Sequence, residues 1–197
     1  MARKPGRPAD QGKRRQEIVT GAANLFNTKG FHQTSMDDIA DTVGIAKPTL
    51  YHYFSGKAEI LAEIHEEFIA DMLSRLRGRQ STDLTPPEQL RELVGDIFMF
   101  IEKRRGHVKV FYEHEQDLTE ESRAHISKLR TEFTNQVRAL IQAGIDSGEF
   151  RDVDTQLAAR ALFGMCNWSY HWFRTGRDNA QRTADFMYAT FVNGLHA

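Results

Sequence analysis

Apolar residues in this chain recur three and four positions apart from Ile18 to Leu195, and no stretch alternates with period two. That spacing lines one face of a helix and not of a strand, so the chain is expected to be all-α. Breakers and caps divide the pattern. Ile18, Ala22, Leu25 and Phe26 define a helix from Gln11 to Lys29, which Gly30 stops. Thr34 and Ser35 offer cap hydroxyls ahead of Asp37 and Asp38, for a short helix through Thr42. Ser55 is placed to cap a helix from Lys57 to Arg77 with Ile60, Leu61, Ile64, Phe68, Met72 and Leu76 on its stripe. "STDLTPPE" ends that helix, and Thr85 with Glu88 reads as a capping box opening another that stops near Gly106. A short segment from Val108 to Gln116 follows. Three further helices are expected: Thr119 to Gly148, Asp154 to Arg174, and Thr183 to Leu195.

The composition, 40% hydrophobic and 27% charged, is that of a globular domain and excludes a disordered chain. No run of about 18 uncharged apolar residues is present, so no membrane span is expected. A single cysteine, Cys166, excludes an intramolecular disulfide and a cysteine metal cluster. The basic start "MARKPGRPADQGKRRQE" lacks the apolar core of a secretory signal, and the expected compartment is the cytoplasm. Charge is unevenly spread. Residues 1–57 hold nine Lys and Arg against five acids, whereas the remainder holds 17 against 22. A basic front either meets a polyanion or is simply solvated.

The stretch from Met36 to Phe54 has helix-turn-helix spacing. Ile39 and Val43 face inward, Ala40 sits at a close crossing, and Gly44 suits a left-handed turn. Ile45 and Leu50 then anchor a second helix from beneath. Lys47, Thr49, Tyr51 and His52 are left to project outward, as donors for base edges and phosphate oxygens.

The segment "SMDDIADTVGIAKPTLYHYFSGKAEIL", with "IVTGAANLFNTKGFHQTSM" before it, resembles the DNA-binding signature of the TetR family of bacterial transcriptional regulators. The match covers roughly residues 12–72. It implies a basic arm (1–11), a three-helix helix-turn-helix domain (12–57), and a C-terminal helical ligand-binding and dimerisation domain (58–197). It also implies a homodimer on a palindromic double-stranded DNA operator, most simply as a repressor. By resemblance, Thr34 or Ser35 contacts a phosphate, Tyr51 another, and Lys57 a third at the start of the fourth helix. Lys47, Thr49, Tyr51 and His52 match recognition-helix positions. Two departures stand out: Ala46 replaces the frequent Ser or Thr at the start of the third helix, and Pro48 sits where glycine or a small residue is common, which the first turn of a helix accepts. Arg7 in "ARKPGRP" is either a minor-groove arm or part of a basic tail.

No catalytic motif appears, and no catalytic or metal-binding residue or cofactor is expected. Glu113, His114 and Glu115 are adjacent, and successive helical positions point about 100° apart, so they do not converge on a metal. In the expected architecture Phe98, Ile101, Phe111, Tyr112 and Phe133 surround a cavity, joined by the stripe Phe163, Asn167 and His171. Trp168, Trp172, Phe186, Phe191 and Leu195 supply more apolar surface than two peripheral helices need and are expected to pair with a symmetry mate. The order of "VFYEHEQDL", "IQAGIDSGEFRDVD" and "WSYHWF" is similar to that of family members answering to acyl-CoA thioesters. A small hydrophobic effector, an acyl-CoA by that resemblance, is therefore expected, with Asn167 or His171 on the thioester and Arg104, Arg105 or Arg174 near CoA phosphates. The alternative is a constitutive, architectural DNA-binding protein whose body only dimerises.

Overall fold

The computed structural model describes residues 8–195, with side chains from residue 11. It is helical throughout that span: α1 (Pro8–Lys29), α2 (Met36–Val43), α3 (Lys47–Tyr53), α4 (Lys57–Arg79), α5 (Pro86–Glu113), α6 (Glu120–Asp146), α7 (Thr155–Asn167), α8 (Ser169–Trp172) and α9 (Ala180–Asn193). A 3₁₀ turn, Glu115–Asp117, joins α5 to α6. No helix among the described residues is long and apolar enough to cross a membrane.

Local chemistry sets most boundaries. Ser35 caps α2 in a capping box with Asp38, and Thr85 does the same for α5 with Glu88. Thr119 and Asp154 cap α6 and α7 as their sequence positions suggest. Gly44 ends α2 at φ 67°, and its N–H reaches back to the carbonyls of Ala40 and Asp41.

Three boundaries differ from expectation. Gly56, not Ser55, is the N-cap of α4; the Ser55 N–H and hydroxyl both donate to Glu59. The helix begun at Asp154 does not run to Arg174. It tightens after Asn167, where the Ser169 hydroxyl donates to the Cys166 carbonyl, and only the short α8 follows. The last helix starts at Ala180 because the Asn179 side chain accepts from the Arg182 N–H.

The helix from Thr85 continues past Gly106 to Glu113, but Arg104 lies off the helical region at φ −136°, ψ 42°. Gly106 then faces α1: a Cβ there would meet Asn24 Oδ1 at 3.1 Å and the Ala23 carbonyl at 3.8 Å. The kink and the missing side chain let α5 lie against α1. α4 also packs on α1, and α5 and α6 cover its body end. α4 therefore belongs to both halves of the molecule. Its buried stripe, from Ile60 and Leu61 through Ile64 and Phe68 to Leu76, merges with that of α5 into one core.

Candidate DNA-reading surface and effector cavity

Ile39, Ala40, Leu50 and Phe54 are buried beneath α2 and α3. That burial turns Lys47, Thr49, Tyr51 and His52 outward, and all four are exposed, Tyr51 by 48%. α3 starts at Lys47 with no side-chain cap and with Pro48 in its first turn. The Lys47 ammonium lies 2.8 Å from an Asp37 oxygen, and this hydrogen-bonded neighbour raises its pKa.

Several residues assigned to phosphate contact are otherwise engaged. Thr34 is buried and donates its hydroxyl to the Gly30 carbonyl at 2.7 Å, so it closes the α1–α2 turn. Ser35 is exposed, but its hydroxyl both accepts from the Asp38 N–H and donates to the Asp38 carboxylate. Lys57 donates to the carbonyls of Phe31 (2.8 Å), His32 (3.1 Å) and Thr34 (3.0 Å), which uses all three ammonium hydrogens. It is a fastener between α4 and the α1–α2 turn, not a free cation. Arg7 lies outside the described residues.

Among the described residues, several basic groups of the front are paired within the protein. Arg15 grips both Glu63 oxygens, donates to the Tyr53 carbonyl at 2.7 Å and lies 4.0 Å from the Phe54 ring centroid. Arg14 donates to the Val43 carbonyl at 3.0 Å. Lys29 pairs with Asp38, and it, followed by Ser35, holds that carboxyl well below the usual range. No local spacing marks these clamps, because their partners lie on other elements and two of them are backbone carbonyls.

In the body, a cavity of about 260 Å³ opens between α4, α5, α6 and α7. Phe111, Tyr112, Phe133, Phe163 and Asn167 line it, as the sequence suggested, and so do Phe68, Glu115, Arg130 and Thr134. The walls are aromatic: Phe133 and Phe163 are 5.3 Å apart, and Tyr112 stacks on Tyr170 at 5.0 Å. Arg130 covers the Phe111 ring at 4.7 Å and binds Glu115 at 2.5 Å. This hydrogen bond is the main cause of a lowered Glu115 pKa. His65 is fully buried against Phe111, 4.8 Å between rings, and neither ring nitrogen has a protein partner. Burial, and then Arg130, push its pKa down to about 3.

Three expected lining residues are elsewhere. Phe98 is fully buried and faces Phe173 across 6.2 Å, and Ile101 is core. His171 is exposed between Trp168 and Tyr170, because the break after Asn167 interrupts the stripe that would have carried it inward. The basic residues expected near CoA phosphates do not line this cavity either. Arg104 pairs with Glu67, and Arg174 lies on the outer face by Trp172.

The apolar outer face is also redrawn. Phe191 and Leu195, expected at the interface, are buried within the protomer and belong to its core. In the C-terminal helices the exposed large apolar residues are Leu157 (60%) and Trp168 (65%) at α7, Trp172 on α8 and Phe186 (67%) on α9. Leu157, Ala161, Gly164 and Trp168 recur three and four apart along one face of α7, and all are exposed. No group of three or more His, Cys, Asp or Glu suited to a metal occurs among the described residues.

An exposed α3 on a buried helix-turn-helix core, carried by a helical body, defines a class of DNA-binding regulators. Residues 18–64 match the model described as bacterial regulatory proteins, tetR family, and residues 83–195 match the tetracyclin repressor-like C-terminal domain. The chain belongs to the TetR family of transcriptional regulators. It is 31% identical over 94% of both chains to the HTH-type transcriptional repressor KstR2 of Rhodococcus jostii. The TetR regulator PfmR of Thermus thermophilus superimposes with a TM-score of 0.83 at 31% identity, covering 91% of this chain and 99% of that one. AibR, solved with isovaleryl coenzyme A and operator DNA, gives 0.77 at 26% identity, covering 90% and 97%. The family's members are DNA-binding regulators and not enzymes.

Proposed function

We propose that this protein is a dimeric repressor that reads its operator with Lys47, Thr49, Tyr51 and His52 and leaves it when a compact acyl thioester enters the α4–α7 cavity. The cavity carries this reading. Its aromatic walls suit an apolar group, while Asn167, Thr134 and Arg130 supply a few converging polar groups. About 260 Å³ is below the roughly 300–1,000 Å³ of drug-sized ligand sites, which favours a short or branched acyl group with the rest of the molecule outside. The complex of AibR with isovaleryl coenzyme A supports that class. Two copies would pair through the α7 and α9 faces around Trp168 and Phe186, placing two α3 helices on successive half-sites.

A thermal-shift panel of acyl-CoAs of two to eight carbons, with the matching free acids, tests the effector. Short or branched thioesters should raise the melting temperature and the acids should not. Stabilisation by a different hydrophobic compound alone would retain the sensor and remove the thioester. The competing reading, a constitutive DNA-binding protein, has no need of a polar-flanked cavity and predicts no stabilising ligand that also weakens DNA binding.

A further inference from the structure

We propose that Arg130 is the side chain that takes an acceptor oxygen of the cavity ligand, and that Glu115, its resident partner, passes this event to the DNA-reading half. The proposal rests on the effector reading for its ligand, but its mechanical part stands on separate contacts.

Arg130 and Glu115 meet at the cavity wall with side-chain exposures of 31% and 48%. A pair this wet is weakly held, so another acceptor can replace the carboxylate. The guanidinium can also donate to a thioester carbonyl, a weaker acceptor than the Glu115 carboxylate, so the exchange is driven by the binding of the rest of the thioester, which a free acid lacks. Glu115 is also the first residue of the 3₁₀ turn that ends at Asp117. Asp117 is nearly buried; it is hydrogen-bonded to His114 Nδ1 at 2.8 Å and lies 3.0 Å from Nε2 of the exposed His32. His32 belongs to the α1–α2 connection, whose carbonyls grip Lys57 and whose next residues cap α2. Phe31 packs beside His114 with ring centroids 5.9 Å apart, so the same turn is also held by an apolar contact.

A three-residue turn therefore has one end in the cavity and the other on the segment that sets the position of α2. Ligand capture of Arg130 frees Glu115, loosens the turn and weakens the Asp117 clamp that holds the DNA-competent arrangement. A ligand acts this way only through its different affinity for the two arrangements.

The test uses the full-length protein, isovaleryl-CoA and free isovalerate as probes, and a DNA site selected from a random library. Glu115→Gln should bind the probe at least threefold tighter and bind DNA at least threefold more weakly without it. Asp117→Asn and His32→Gln should bind the probe within twofold of wild type, yet lose most of the probe-induced release, from tenfold or more to under threefold. Unaltered melting curves would confirm that each variant folds. Wild-type release in both clamp variants would overturn the proposal, as would a Glu115→Gln protein indistinguishable from wild type. If neither probe binds any variant, the effector reading fails separately. The relay is then judged by DNA affinity alone, which should fall in all three variants and, if unchanged, overturns it.

Discussion

The Lys57 ammonium donates to the Phe31 carbonyl at 2.8 Å and lies 4.7 Å from the centroid of the same residue's ring. One side chain thus fixes the start of α4 to the turn before α2 by hydrogen bond and cation–π contact together. Lys57→Ala should destabilise the protein by about 1–3 kcal/mol, since charge-assisted bonds are lost and carbonyls are left half-buried. The salt dependence of DNA binding should not change. Chemical denaturation and a salt titration read the two effects, and a slope lowered by about 0.9 per half-site would return Lys57 to the phosphates.

On the reading face the effects should separate by chemistry. Tyr51→Phe should weaken all DNA sequences alike if its hydroxyl meets a phosphate. Thr49→Ala or His52→Ala should shift base preference in a selection experiment. Lys47 must leave Asp37 to reach DNA. Asp37→Asn should therefore strengthen binding several-fold without changing the preferred sequence; weaker binding would place Asp37 on the DNA side.

Assembly should depend on exposed residues and not on the buried ones. Trp168→Glu with Phe186→Glu should give folded monomers by analytical ultracentrifugation, while Phe191→Glu should unfold the chain. A dimer that survives the double substitution would move the interface elsewhere.

Acid should destabilise the fold through two buried histidines. Burial lowers His65 to about 3 and His107 to about 4, so the unfolded chain binds protons that the native one refuses. Stability is therefore present above the unfolded value near 6.5 and is lost as pH falls toward the folded values. Between pH 7 and 5 each should remove about 1–2 kcal/mol. His65→Phe should flatten that loss in urea melts at the two pH values; an unchanged pH dependence would mean His65 is charged or solvated in the native state.

Elements set by local chemistry were legible in the sequence. Thr85 with Glu88, Thr119, Asp154 and Gly44 act on their own few neighbours, and each stands where its type and spacing indicate. The outward set on α3 was legible because Leu50 fixes the face opposite it. What failed depends on distant chain. Apolar periodicity marks Phe191 and Leu195 as inward on some face but does not say whether the protomer or a mate covers it. Thr34 and Lys57 looked free because carbonyl partners leave no trace in side-chain identity. His171 was lost to a one-residue break that no glycine or proline announces. The Glu115–Arg130 pair leaves no mark in the sequence because their meeting needs α5 and α6 to fold back on each other.

The most direct test of the whole account is operator affinity of the wild-type protein, by fluorescence anisotropy, with and without saturating isovaleryl-CoA. A tenfold or greater rise in Kd, about 1.4 kcal/mol, is predicted with the thioester and none with free isovalerate. An operator Kd unchanged by this and every other short-chain acyl-CoA, at concentrations that occupy the cavity, would contradict it.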